Sequence, residues 1–232
     1  MTYPLEVKKL SGLNYDLPAA ELPEDVYTTG RNIRYDNLAM CKFDGHSIVF
    51  SSGMLHAPYH LVGVRQPLDY FWIYPGASAI GVVGTSGGHN DITPVGGVSA
   101  TYIDNWTGGV INGVPYVSNP NEDPLFWDGV ITNPMAVLTG WPASTKAKVI
   151  RTYQNFLVAL DLTESSVNFP NKVKWSASAA AGNIPASWDD TDPALDAGEI
   201  ILAGTQGALV DCLPLYSDNI VYKNNSAFVM TF

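Results

Sequence analysis

Apolar and β-branched residues come in short bursts along this chain, bounded by Gly, Pro, Asn and Asp, and helical spacing is almost absent. Bursts of this kind predict strands and turns. The pattern predicts strands over residues 31–35, 47–50, 60–65, 70–74, 80–83, 99–103, 114–118, 124–127, 148–152, 156–160, 172–177, 199–202, 208–213, 219–222 and 227–232. The best helical stretches, 19–27 and 142–148, are short, and Pro23 interrupts the first. Two connections, 84–97 and 178–197, are too long for plain hairpins and read as contact loops.

The bursts repeat. HLVGVRQPLDYFWIYP, KVIRTYQNFLVALDL and ALVDCLPLYSDNIVYKN each carry an apolar strand through a short polar turn into a second, strongly apolar strand. A third strand follows each of them: IGVV, VKWS and AFVM. SATYIDNWTGGVINGVPYVSN with PLFWDG is a fourth, more distorted copy. The copies begin roughly 40 to 60 residues apart, a spacing suited to four-stranded propeller blades. In Phe126-Trp127-Asp128-Gly129 the aromatic suits the space between blades and Asp-Gly suits the turn.

The predicted fold is all-β. Residues 1–45 form an irregular extended segment with strand and turn, and residues 46–232 a β-propeller-like domain of repeated antiparallel blades; a β-sandwich is the alternative. Trp72, Trp127 and Trp175 are the expected core aromatics. Over 172–177, alternation puts Val173 and Trp175 on one face and Lys172 and Lys174 on the other. The final burst reads as a blade without its outer strand. Either an early strand (31–35 or 47–50) closes the ring, or the chain is the ordered part of something longer; the second is the expectation, because an unpaired edge is costly.

Charge narrows the function. Only 15% of residues are charged, against a norm of roughly 25%, which suggests a surface that something covers. Acids outnumber bases 22 to 12, for a net charge of -10, the wrong sign for gripping nucleic-acid phosphates. The acids gather around 16–25, 122–128 and 189–199. They read as solvated loops or as a repulsive lining past which DNA slides, with Asp189, Asp190 and Asp192 the candidate channel-lining acids. Cys41 and Cys212 lack metal-ligand spacing and read as buried free thiols. No apolar stretch approaches the roughly 20 residues of a membrane span, and no secretory h-region opens the chain, so assembly in a cytoplasm without a membrane partner is expected.

No chemical motif singles out a catalytic residue, metal site or cofactor. His56 and His60 have the spacing of a helical zinc pair, but Pro58 lies between them. The glycine-rich stretch 84–88 lacks the Lys-Ser/Thr ending of a phosphate loop. Residues 189–192 lack the glycine of a calcium loop, and no G-x-S-x-G elbow is present. Trp106, Trp141 and Trp188 sit in loop-like contexts, where they suit a sugar-binding face.

Two parts of the chain resemble known proteins. Gly12-Leu13-Asn14 leads through Leu17-Pro18 to Thr29-Gly30-Arg31-Asn32-Ile33-Arg34-Tyr35, then to Lys42-Phe43-Asp44-Gly45. With the VKWS…ASW…ILAG…LVDCLPLYSDNIVYKNNSAFVMTF ending, this resembles the β-propeller hub or nozzle proteins of short bacteriophage tails. The resemblance covers about a third of the chain, which is shorter than such proteins usually are. It implies a structural, non-enzymatic virion protein. Six copies would form a ring below the portal and adaptor proteins, contact tail fibres or spikes, and conduct duplex DNA without specific binding. The alternatives are a carbohydrate- or receptor-binding virion module and, more weakly, a propeller hydrolase using loop carboxylates.

Overall fold

The structure, a computed structural model, describes residues 12–231 apart from 15, 24–25, 29, 32, 37–38, 43–46, 68 and 102–105. The chain divides into two units, Met1–Val49 and Phe50–Phe232. In the first, β1 (Gly12–Leu13) pairs in parallel with β2 (Val26–Tyr27), and β3 (Ile33–Asp36) pairs antiparallel with β4 (Ala39–Lys42). A single 3-10 turn, Ala19–Glu21, stands where the 19–27 helix was expected, since Pro23 cannot continue one. None of the described side chains of this unit is buried. Residues 47–50 form no strand, and Ile48 and Val49 stay exposed.

The second unit is built from four antiparallel meanders in chain order. The first joins β5 (Val62–Arg65), β6 (Tyr70–Pro75), β7 (Ile80–Gly84) and β8 (His89–Asp91). The next joins β9 (Thr107–Ile111), β10 (Val114–Ser118), β11 (Leu125–Phe126) and β12 (Ala136–Val137). The third joins β13 (Thr145–Tyr153), β14 (Phe156–Glu164), β15 (Val167–Trp175) and β16 (Gly198–Ile201). The last has three strands, β17 (Leu209–Leu215), β18 (Asp218–Lys223) and β19 (Ala227–Met230). The fold is all-β, without an α-helix among the described residues. Four successive sheets replace the two layers that a sandwich would have.

The sheets stack face to face, with an apolar layer between each consecutive pair. Ile73, Ile80 and Val82 meet Val117, Leu125 and Trp127 in the first layer. Ile111, Tyr116 and Leu138 meet Ile150, Leu157 and Leu162 in the second. Val149, Leu160 and Val173 meet Leu209, Cys212 and Val221 in the third. The third sheet is therefore covered on both faces. That is why β14 is buried from Phe156 to Leu162 and reads as a continuous apolar run rather than an alternation.

The expected strand over 99–103 does not form in its described part; residues 99–101 are irregular, and 102–103 lie outside the described residues. The first strand of that repeat is β9 instead. It carries Gly108 and Gly109, which weakens any strand signal. The glycines have a packing reason: a Cβ on Gly108 would collide with the Tyr116 carbonyl oxygen, and one on Gly109 with the Thr152 side chain. Close approach of β9 to β10 and β13 thus demands residues that sequence statistics count against a strand.

Candidate functional site

The first strands of the four sheets neighbour one another, β5 against β9, β9 against β13, and β13 against β17. A half-open cavity of about 540 Å3 runs along them. Every sheet contributes to its wall: His60 just before β5, Thr107 on β9, Lys148 and Arg151 on β13, Asp211 on β17, and Asn224 in the hairpin after β18.

The cavity holds two cations. Arg151 donates from Nε and Nη2 to the two carboxylate oxygens of Asp211, at 2.7 and 2.8 Å, a bidentate pair that fixes the guanidinium plane. Lys148 Nζ lies 3.3 Å from Asp161 Oδ2 and keeps more than half of its side chain exposed. Asp161 is a buried acid at φ +54, where the pairing of β14 with β15 shifts register. Its other oxygen accepts from Asn168 Nδ2 at 2.9 Å. Burial, followed by the charge of Arg151, pushes the His60 imidazole below its usual range.

A second charged cluster lies on the third sheet. Lys172 and Lys174 are both buried. Lys172 Nζ reaches Glu164 at 2.9 Å and Glu199 at 3.0 Å, while Lys174 Nζ reaches Asp190 at 2.8 Å and Glu199 at 2.9 Å. The expected face alternation therefore does not put these lysines in water; the carboxylates of neighbouring segments cover them. Alternation with Val173 and Trp175 gives a lysine pair the appearance of a solvent face, so this network left no signal in the pattern.

The candidate lining acids separate. Asp190 is committed to Lys174, and that hydrogen bond outweighs desolvation to hold its carboxyl below the usual range. Asp189 accepts from the backbone and hydroxyl of Thr191, and Asp192 accepts from Ala194 N; both acids are exposed. Of the expected core aromatics, Trp127 is fully buried. Trp72 and Trp175 are only half-buried. Trp72 meets Phe50 edge-on at 5.8 Å, and Trp175 donates to the Asp196 carbonyl at 2.8 Å beside an open groove.

The loop tryptophans are corrected in the opposite direction. Trp106 and Trp188 are buried, so they offer no sugar-binding face. Trp106 lies in the first apolar layer and donates to the Gly76 carbonyl at 3.0 Å. Trp188 lies in the second, with Trp141 edge-on at 4.7 Å. Both rings sit in apolar layers between sheets, a tertiary placement without a local signature. His56 bonds the Tyr74 carbonyl at 3.0 Å rather than forming a pair with His60. Among the described residues no group of three or more His, Cys, Asp or Glu is placed to hold a metal ion. Cys212 is buried, which pushes its thiol up to about 11, and Cys41 is half-buried. No helix among the described residues is long and apolar enough to cross a membrane.

No family model and no curated protein matches the chain. Among solved structures, the computationally designed Ika4 protein aligns over 81% of this chain and 99% of its own, with 11% identity and a TM-score of 0.49. At that level the likeness bears on neither fold nor function.

Proposed function

We propose that this chain is a structural protein of a bacteriophage virion, assembling with copies of itself into a nozzle or hub ring of the tail. In this reading about six copies stand below the portal and adaptor proteins. They carry fibres or spikes on their flank and extend a channel through which duplex DNA passes ungripped. The stacked meanders would serve as blades and as the rigid wall.

The observation that carries the reading is apolar surface on the last two sheets. Ile200 and Ile201 on β16, Val210, Leu213 and Leu215 on β17, and Val229 on β19 are all exposed. Between these sheets lies an apolar groove of about 330 Å3, walled by Trp175, Leu202, Phe228 and Met230. Such surface on a chain this poor in charge supports burial against a second copy. A ring needs a head-to-tail contact of this kind, in which two different faces of each copy meet. The net charge of -10 supports a channel that does not hold DNA. Asp189 and Asp192 remain the candidates for its lining, since Lys174 offsets the charge of Asp190.

Light scattering on the purified 232-residue chain tests the ring. The expected result is a closed assembly near six copies of 25.0 kDa, broken to monomers by Ile200→Asp with Val229→Asp. A wild-type chain that stays monomeric at every concentration would overturn the proposal.

A further inference from the structure

We propose that the cavity between the four first strands binds a small oxyanion, a carboxylate- or phosphate-bearing molecule, between Lys148 and Arg151. This goes beyond the structural role above and stands independently of it.

The chain holds two contrasting sets of cations. Lys172 and Lys174 are structural: each is buried and meets two carboxylates at 2.8–3.0 Å, so their charge is answered from within. Lys148 and Arg151 are held differently. Each has one carboxylate partner, and both face a volume of about 540 Å3. Lys148 has the longest ion pair of the described residues, at 3.3 Å, and more than half of its side chain is exposed. An ammonium carries three donors and a guanidinium five. The bonds to Asp161 and Asp211 use one and two of these.

The carboxylates act as positioning groups. Asp211 fixes the plane of Arg151, and Asp161, itself tied to Asn168, anchors Lys148. Asp161 sits at φ +54 in the register shift between β14 and β15. The rest of the wall suits an oxyanion. His60 brings an imidazole and Asn224 an amide. Among the described residues Asp211 is the one acid in the wall itself, and Asp161 meets Lys148 from β14.

Isothermal titration of the full chain with inorganic phosphate, and separately with citrate, tests this in a buffer free of either. The expected result is saturable binding of at least one, at one site per chain. Lys148→Met should weaken it about tenfold, the loss of one charge-assisted contact, and Lys148→Arg should restore most of it. Lys146→Met, which removes the neighbouring Lys146–Asp123 pair outside the cavity, should leave binding unchanged. Lys148→Met takes the cation from buried Asp161, so its melting temperature should fall somewhat; the titrations are run well below it, and Lys148→Arg, which keeps the charge, separates binding from folding. The relative strength of the two titrations identifies the anion class. No saturable binding of either anion, or equal loss in Lys146→Met and Lys148→Met, overturns the proposal and leaves the ring reading standing.

Discussion

Lys174 and Glu199 face each other across β15 and β16 in direct register, with Nζ 2.9 Å from Oε2. The other oxygen of Glu199 reaches Lys172 at 3.0 Å, so one carboxylate serves two buried ammonium groups. This clamp ties the fourth strand of the sheet to the third, where β16 brings two exposed isoleucines and little apolar burial of its own.

Glu199→Ala should therefore destabilise the chain by about 3 kcal/mol, because it leaves two buried cations short of a partner. Glu199→Gln keeps the shape and should cost less. The midpoint of urea unfolding measures both. An unchanged midpoint in Glu199→Ala would mean that the lysines swing out to water at no cost.

The same network predicts a pH dependence. For Glu199, desolvation raises the carboxyl pKa, but the hydrogen bonds and charges of Lys174 and Lys172 outweigh it and leave it lowered. Asp190 is also lowered, mainly by its bond to Lys174. A carboxylate depressed by folding contributes stability above its unfolded value, about 4, and loses it as pH falls through the folded value. For Lys172 and Lys174, desolvation lowers the pKa, but the carboxylate partners outweigh it and raise both. Their contribution is present below about 10.4 and is lost as pH rises through the folded value. The melting temperature should thus fall on both the acid and the alkaline side of a plateau, and Glu199→Gln should flatten both slopes. An acid limb equally steep in that variant would locate the titrating groups elsewhere.

Trp127→Ala should be the most costly tryptophan truncation, at about 3–5 kcal/mol. The ring is fully buried, meets Phe71 edge-on at 5.3 Å, and donates to the Val130 and Asn133 carbonyls at 3.1 and 3.2 Å. Half-buried Trp175 should cost roughly half as much. Thermal unfolding of the two variants side by side gives the order, and a larger loss for Trp175 would contradict it.

Gly108→Ala should destabilise by about 1–3 kcal/mol, the range for overpacking a close contact. The new methyl meets main chain at Tyr116, which cannot rotate away. Gly88→Ala, with nothing within 4 Å of the added carbon, is the control and should be near neutral. Chemical unfolding of both variants decides it.

The blade-like repeat was legible because burial on both faces of a sheet writes itself as paired apolar runs. FLVALDL became β14, and YFWIYP became β6. Strands set by closeness rather than by bulk were not legible. β9 hides behind Gly108 and Gly109, and β12 is only Ala136–Val137 on an edge. Trp106 and Trp188 look like loop residues because they lie outside the apolar bursts; only the stacking of sheets buries them. The cavity cations are further from view. Lys148, Arg151 and Asp211 come together because β13 and β17 open adjacent sheets, a proximity across 60 residues that no local spacing records.

Imaging the intact virion with this chain located in it tests the proposed tail ring. A ring of copies below the portal, with an inner wall that is acidic or neutral, is the expected result. A monomer on the outer capsid surface, or a ring with a strongly basic inner wall, would contradict it.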